Sequence, residues 1–291
     1  MDPTTSLYVA QGIHGLAYGM ILFLIASGLN IIFGMMGILN LAHTAFFMLA
    51  AYFGYQVVEW TGSFWIALLI APIATAFFGI ILERFFLRRI HTRGHLGELI
   101  LTVGVGMVIL AAVKIFWGTE NLPVAVPPGL AGMVNIAGLG YPIYRLFVIA
   151  VALVVLGIMA LVLYKTRLGM IVRAAVSDAD MVNALGINIP VVFMLVFGIG
   201  TWLAGVAGVV IAPILTVFPG LDGQVGMDAF IVVVTGGFGS LMGSFIVSLI
   251  FGFLSSYGVQ FVSQLAPVLM VLFMAIVLAF RPNGLFGERE S

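Results

Sequence analysis

The sequence predicts an all-α fold: a polytopic membrane bundle of about eight or nine spans, with glycine-broken helices and an internal repeat. Three observations support it: 63% of the 291 residues are hydrophobic, only 8% are charged, and the apolar residues form long runs. A soluble fold this apolar would expose large apolar patches. Disordered chains are polar and highly charged. Both of these classes are therefore excluded.

Charge and motif content narrow the function classes. Eleven Lys and Arg residues balance eleven Asp and Glu residues, so no basic stripe is available for nucleic acid. The absence of cysteine excludes disulfides, thiolate nucleophiles and cysteine metal sites. The sequence contains no G-x-x-x-x-G-K-[ST], H-E-x-x-H or G-x-S-x-G motif. We therefore expect no enzyme activity, no metal and no cofactor bound by this chain itself.

Nine apolar runs are predicted to be membrane helices, because a span needs about 20 mostly apolar residues. They are 10–34, 41–59, 64–87, 97–117, 143–164, 191–217, 228–241, 242–260 and 264–280. The run 228–241 is short, so it is either a tilted span or a re-entrant half-helix, which would leave eight spans. No linker to a second domain is visible, so residues 1–291 are predicted to form a single transmembrane domain.

Basic residues in the short loops predict the orientation. All of the eleven Lys and Arg residues except Lys114 and Arg145 fall on one side if the N-terminus is outside and the C-terminus is cytoplasmic. The loop 166–190 is then cytoplasmic and the loop 118–142 is periplasmic. The outer loop is rich in proline and glycine, which predicts irregular structure.

Two glycine-rich segments interrupt the apolar pattern. Segments 34–43 (GMMGILNLAH) and 236–245 (GGFGSLMGSF) share the pattern Gly-x-x-Gly-x-Leu, which pairs Gly34 with Gly236 and Gly37 with Gly239. Glycine-broken helices in matching positions of two halves are typical of transporter binding regions, because exposed backbone groups can meet a polar solute. The alternative is that the glycines only allow close helix crossing. The predicted substrate pathway contains Asn30, Gly34, Gly37, Asn40, His43, Gly236, Gly237 and Gly239.

Some of these polar residues have a simpler interpretation. His43 is equally compatible with a packing role in which the ring bonds to a backbone carbonyl, and Asn30 is typical of a helix–helix hydrogen bond. Ion coupling usually requires ionisable residues in mid-span. The charged residues of the apolar runs are predicted near span ends, which argues against a proton or sodium path: Glu59, Glu83, Glu98, Lys114 and Asp228.

The cytoplasmic loop is too apolar for a plain linker, and two interpretations remain open. One helix over 169–185 would place Asp178 on its apolar face. Alternatively, the helix restarts at Ser177, which caps it in an S-x-x-D box with Asp180, while Asp178 is a first-turn acid and Gly186 ends the helix. We favour the second interpretation because it leaves Asp178 unburied. The result is a short, capped amphipathic helix that can either lie on the membrane surface or dock in a groove of a partner.

Five blocks of the sequence resemble the permeases of branched-chain amino acid ABC importers, especially the LivH type. They are 28–43 (GLNIIFGMMGILNLAH), Leu82-Glu83-Arg84 with Arg88, the loop residues Gly169, Arg173, Ala174, Asp178 and 186–188 (GIN), the late glycines Gly236, Gly237, Gly239 and Gly243 with Ser240, and 281–287 (RPNGLFG). The blocks occur in family order over nearly the whole chain.

The resemblance implies an assembly. It consists of a second paralogous permease subunit, two cytoplasmic ATP-binding subunits that hold ATP and magnesium, and a periplasmic substrate-binding protein, in a bacterial inner membrane. The cargo would be branched-chain amino acids or a related amide, urea or aromatic acid. The coupling helix would contact an ATPase through Arg173, Ser177, Asp178, Asp180, Asn183 and Gly186. The alternative function is an ATP-independent channel or carrier for a small polar solute, which would need no docking helix.

Overall fold

The computed structural model describes residues 3–91, 94–136, 138–262 and 264–287. Helices dominate, because backbone groups away from water must find their partners within the same segment. In the described part of the chain the α-helices are α1 (Pro3–Met36), α2 (His43–Thr61), α3 (Phe64–Leu82), α4 (Arg88–Ile90), α5 (His95–Trp117), α6 (Ile143–Lys165), α7 (Arg167–Ser177), α8 (Ala179–Ala184), α9 (Ile189–Leu215), α10 (Leu221–Gly236), α11 (Leu241–Val262) and α12 (Ala266–Phe280).

All nine predicted apolar runs are largely helical, which confirms the polytopic helical bundle. Within the described residues, six helical segments are long and apolar enough to cross a membrane: Leu7–Met36, Phe64–Ile90, His95–Trp117, Ile143–Lys165, Ile189–Leu215 and Leu241–Phe261. The second of these is continuous because a π-helical turn, Glu83–Leu87, joins α3 to α4. Helices α2, α10 and α12 fall outside these limits of length and composition.

The predicted run 228–241 has the wrong boundaries. The helix begins at Leu221 and ends at Gly236, so the preceding residues are helical and residues 237–240 are not. Its C-terminal boundary arises because Gly237 adopts a φ of 100°. Sixteen residues of helix extend about 24 Å, less than the ~30 Å of a hydrocarbon core.

Helices α1 and α9 form the centre of the bundle. For each of them 78% of the most apolar window is buried, against 11% for α5 and 22% for α6, which therefore lie at the periphery. Glycines allow the central helices to approach closely. A Cβ on Gly205 of α9 would lie 2.6 Å from the Cα of Pro72 in α3, and one on Gly28 of α1 would lie 2.5 Å from the Gly200 carbonyl of α9.

One end of the bundle carries a β-hairpin and is called the hairpin end. The loop 118–142, predicted to be irregular, contains a 3₁₀ turn (Pro128–Leu130) and an antiparallel pair, β1 (Met133–Ile136) and β2 (Leu139–Pro142). Leu122 and Val217 exchange backbone hydrogen bonds of 2.8 and 2.9 Å, which attach this loop to the segment after α9. The proline and glycine residues of this loop therefore limit the length of β1 and β2 but do not prevent the two strands from forming.

The opposite end carries α7 and α8 and is called the α7–α8 end. The C-terminal ends of α4, α6 and α12 and the start of α9 lie there. The described basic residues of this end are Arg84, Arg88, Arg89, Lys165, Arg167, Arg173 and Arg281, whereas Lys114 and Arg145 lie toward the hairpin end. Most of the described basic residues thus lie at one end of the bundle, as the loop sequences predict.

Candidate translocation pathway and coupling surface

The first break separates α1 from α2. Gly37 ends α1 with a φ of 65°, and its N–H still donates to the Phe33 carbonyl at 2.8 Å. The chain is non-helical until His43, whose N–H donates to the Asn40 carbonyl at 3.1 Å. The structure therefore places a break within the segment 34–43, although Gly34 itself is still helical.

Two buried side chains of this break have atoms without a hydrogen-bond partner. Asn40 is 1% exposed, and its Oδ1 accepts from the Ala42 N–H at 3.2 Å, while His43 is fully buried with Nε2 3.1 Å from the Ile25 carbonyl. No described residue bonds to Nδ2 of Asn40 or Nδ1 of His43. Each side chain thus makes one hydrogen bond within the fold, as the packing interpretation expects. Each also has one buried polar atom that bonds to no described residue.

The second break lies between α10 and α11 and is bound to α1 through Asn30. Nδ2 of Asn30 donates to the Ser240 carbonyl at 2.6 Å and to Oγ of Ser244 at 2.7 Å. Oδ1 of the same side chain accepts from the Gly239 N–H. Asn30 forms hydrogen bonds between helical segments, as its simpler interpretation expects. Two of its partners are backbone groups of the second break, the Gly239 N–H and the Ser240 carbonyl.

The two breaks correspond with an offset that the sequence pattern did not show. Gly37 ends α1 and Gly237 ends α10, each with a positive φ and an N–H bonded to the carbonyl four residues earlier. The predicted pairing matched Gly37 with Gly239 instead. Gly239 also has a positive φ, of 80°, so the backbone of the second break changes direction at both Gly237 and Gly239.

The C-terminal tail covers the end of α10. The Leu285 N–H donates to the Thr235 carbonyl at 2.9 Å, and the Phe286 N–H donates to the Gly236 carbonyl at 3.1 Å. The last carbonyls of a helix have no partner within it, so this tail acts as a cap. Close backbone contact requires glycine at Gly237 and Gly284, because a Cβ on Gly284 would lie 2.5 Å from the Gly237 nitrogen. The tail motif was seen in the sequence, but its role was not.

Asp228 does not lie near a helix end, contrary to the prediction. It lies in the middle of α10, and its Oδ2 accepts a hydrogen bond of 2.6 Å from the Tyr18 hydroxyl of α1. The prediction fails because the first residues of α10 are less apolar than a typical membrane helix. Gly220 followed by the first-turn acid Asp222 was the available signal of a helix start.

Two carboxylates at the α7–α8 end are buried: Glu98 lies at a helix end, as predicted, whereas Glu83 lies within the continuous helix Phe64–Ile90. Glu98, 2% exposed, lies in the first turn of α5, with Oε1 2.5 Å from Nδ1 of His91 and Oε2 3.4 Å from Nδ1 of His95. Glu83 begins the π turn. Among the described residues no three His, Asp or Glu side chains are grouped so as to hold a metal ion.

The cytoplasmic-loop prediction is right about an interruption and wrong about the cap. The chain breaks at Asp178, which has extended backbone and whose Oδ1 accepts from the Met181 N–H at 2.9 Å, so Asp178 rather than Ser177 is the N-cap. Ser177 is the last residue of α7. The side chains of Ser177 and Asp180 lie outside the described part, so their capping box is not described.

Gly186 ends α8 as predicted. Its φ is 86°, its N–H donates to the Asn183 carbonyl, and the Ile187 N–H donates to the Val182 carbonyl. This pair of bonds is the Schellman motif. Asn183 and Gly186 line a surface depression together with Arg88 and residues 187–190.

Arg173 is held within the chain. Its guanidinium donates to the Leu163 carbonyl at the end of α6 and lies 5.8 Å from the centre of the Tyr164 ring. A cation near the C-terminal carbonyls of a helix is stabilising. Arg173 therefore fixes the junction of α6 and α7.

These features can be compared with known proteins. A family model described as "Branched-chain amino acid transport system / permease component" matches residues 13–280. The chain belongs to this family. Permeases of this family are named as components of transport systems, so the chain is a multi-pass membrane permease subunit of an assembly with further transporter subunits.

Relatives of similar length carry consistent names. The chain is 28% identical to the high-affinity branched-chain amino acid transport permease BraD of Pseudomonas aeruginosa, over 97% of both chains. It is 27% identical to the permease LivH of Salmonella typhimurium and to that of Escherichia coli, over 97% of this chain and 96% of theirs. The resemblance predicted from the motifs is confirmed.

A solved structure shares the fold. A chain of PsaBC from Streptococcus pneumoniae, in complex with Fab, superposes with a TM-score of 0.50 at 13% identity. The match covers 92% of this chain and 89% of that one. This likeness supports the architecture of the helical bundle.

Proposed function

We propose that this permease imports branched-chain amino acids or a closely related small polar solute, and that the solute passes beside the two breaks. The relatives named above are branched-chain amino acid permeases. The observation that carries the proposal is the junction at Asn30, where α1 supports the broken backbone of residues 239–240.

The physical argument concerns polar backbone inside a membrane. Non-helical backbone at membrane depth is tolerated only where protein buries it or where it lines a water-filled cavity. Asn30 satisfies part of the second break, but Asn40 and His43 keep buried polar atoms that have no partner among the described residues. An unmet buried donor or acceptor costs about 1–3 kcal/mol. A passing solute that bonds to these atoms would offset that cost, which supports their place in the pathway.

The orientation we propose has the N-terminus outside and the α7–α8 end in the cytoplasm, because the basic residues concentrate at that end. A periplasmic binding protein would then deliver solute at the hairpin end. Two cytoplasmic ATPases, which would hold ATP and magnesium, would contact the α7–α8 end, and a second paralogous permease would complete the pathway.

The coupling surface in this proposal is the segment from Asp178 to Gly186 with the neighbouring depression. The Asp178 cap fixes the start of α8, and the Gly186 N–H bond to the Asn183 carbonyl fixes its end. The helix can therefore move as a rigid unit when an ATPase displaces it. Arg173 links α7 to α6, and α9 follows directly after Gly186. Movement of an ATPase would therefore reach α6 and α9, and rocking of these helices gives alternating access.

The test begins with purification of the tagged chain from its native membrane in mild detergent, followed by mass spectrometry. The proposal expects two P-loop ATPases and a second permease. The complex, in proteoliposomes with its binding protein, should take up [¹⁴C]leucine with ATP and not with ADP. A homo-oligomer that passes solute without ATP would contradict the proposal and establish the channel alternative.

A further inference from the structure

The outward face of α10 includes a carboxylate although the helix lies in a membrane bundle. Gly223, Gln224 and Met227 are exposed, and Asp228 is partly exposed beside them. On the peripheral helix α5, by contrast, the exposed side chains of the middle turns are apolar, such as Met107 and Val108, and the exposed Lys114 lies in the last turn. A charged side chain against acyl chains costs at least about 2.5–3.5 kcal/mol. This face of α10 therefore meets water or protein rather than lipid.

Along the helix axes, the carboxylate of Asp228 lies far from the hairpin end. Its partner Tyr18 is in the apolar segment Leu7–Met36, about 16 Å along the helix from Leu7. On α10, Asp228 precedes the break after Gly236 by about 12 Å of helix. A solute that enters at the hairpin end and moves along α10 would pass Asp228 before it reaches the breaks.

Asp228 has no ion-pair partner in the described part of the chain. Oδ2 accepts from Tyr18, and no described Lys, Arg or His lies within ion-pair distance of either oxygen. The sequence of α10, LDGQVGMDAFIVVVTG, has a second carboxylate at Asp222 and no basic residue. The neighbourhood thus carries negative charge and offers free acceptor positions on Oδ1.

We propose that Asp228 binds the ammonium group of a zwitterionic amino acid on its way to the breaks; this inference rests on the proposed import function. An ammonium group carries three donors and a full charge, which together match a carboxylate with open lone pairs. Urea, short amides and aromatic acids without an amine lack that charge. Asp228 therefore makes the pathway selective for amino acids among the solutes of the family.

The test uses the assembled transporter in proteoliposomes, with [¹⁴C]leucine as the probe. Asp228→Asn keeps the shape and an acceptor for Tyr18 but removes the charge, so kcat/KM for uptake should fall at least tenfold. Tyr18→Phe removes the hydrogen bond and keeps the charge, so uptake should stay within threefold of the unmodified protein. Asp228→Glu should recover much of the loss, and the neighbouring exchange Met227→Leu should have no effect.

Each other outcome has a definite meaning. If Tyr18→Phe impairs uptake as much as Asp228→Asn, the pair is a structural bond and the inference is wrong. If Asp228→Asn transports leucine normally, the inference fails while the import function stands. If the unmodified complex does not transport leucine, the import function itself fails. Uptake that needs Asp228 and a proton or sodium gradient instead of ATP would make it an ion site. Should Asp228→Asn fail to assemble, Asp228→Thr and Asp228→Glu give the same charge comparison.

Discussion

Gly34 of α1 and Gly239 of the second break meet backbone to backbone: a Cβ on Gly34 would lie 2.6 Å from the Cα of Gly239. One turn earlier, Asn30 bonds to the same residue through the Gly239 N–H. A single stretch of α1 thus supports the break between α10 and α11 by both shape and hydrogen bonding. This contact joins residues more than 200 positions apart, and no local pattern of the sequence encodes it.

We predict that Gly34→Ala separates α1 from the second break. The added methyl group cannot fit without a backbone shift, which in packed cores typically costs about 1–3 kcal/mol. The melting temperature of the purified protein in detergent should fall, and leucine uptake should fall with it. Gly157→Ala in α6 is the control, because a Cβ there meets nothing within 4 Å. Equal melting temperatures for the two variants would contradict the contact.

Asn30→Leu should destabilise the protein more than the loss of an ordinary surface bond. The substitution removes the acceptor of the Gly239 N–H and the donor to the fully buried Ser244 hydroxyl, whereas the Ser240 carbonyl keeps its bond from the Ser244 N–H. An unmet buried polar group costs about 1–3 kcal/mol. Thermal melting and amide exchange at Gly239 measure the effect. Ser27→Ala is the matched control, since the Ser27 hydroxyl bonds only to the Leu24 carbonyl of its own helix. Unchanged exchange at Gly239 would show that Asn30 does not hold the break.

The order and type of the membrane helices could be predicted from the sequence because hydropathy over some 20 residues is a strong local signal. The limits of that signal are visible at α10. Its first residues include Asp222, Gly223 and Gln224, which lower the mean hydropathy, and they were assigned to a loop. Packing against α1 and α2 stabilises this helix, and the amino-acid composition of α10 alone does not reveal such tertiary contacts.

The candidate site was predicted in part. Glycine spacing indicated both breaks, since a positive φ favours glycine at Gly37, Gly237 and Gly239. The N-cap of α8 was misplaced by one residue, because Ser177 and Asp178 are both good caps and only the backbone conformation decides between them. The bond between Tyr18 and Asp228 depends on how α1 and α10 pack, which periodicity cannot show.

Asn40→Leu should separate transport from stability. The substitution removes the Asn40 Nδ2 atom, which has no partner among the described residues, and one bond of 3.2 Å to the Ala42 N–H. These two effects oppose each other, so the melting temperature should change little. Leucine uptake by the reconstituted complex should fall at least fivefold if Nδ2 contacts the solute. His43→Leu provides the parallel measurement at the second unpartnered atom. Normal uptake in both variants would leave the two residues as packing.

Gly284→Ala should release the C-terminal tail from α10. Gly284 has a φ of 81°, and an added Cβ would lie 2.5 Å from the Gly237 nitrogen. The amide protons of Leu285 and Phe286 should then exchange faster, because their bonds to Thr235 and Gly236 depend on this turn. Hydrogen–deuterium exchange measures this directly. Gly129→Ala in the hairpin-end loop, where a Cβ meets nothing within 4 Å, is the control. Slow exchange in Gly284→Ala would show that the cap tolerates a side chain.

Asp178→Ala should uncouple ATP hydrolysis from uptake. Loss of an N-cap typically costs about 1 kcal/mol, and α8 has only six residues over which to absorb it. A frayed α8 would transmit less of the ATPase movement to α9, so more ATP should be hydrolysed for each leucine imported while the complex still assembles.

Ser177→Ala is the matched control, because the N-cap of α8 is Asp178 and not Ser177. The decisive quantity is the ratio of phosphate released to [¹⁴C]leucine accumulated in proteoliposomes. An unchanged ratio in Asp178→Ala would remove the cap from the coupling mechanism, and a raised ratio in Ser177→Ala alone would restore the capping box predicted from the sequence.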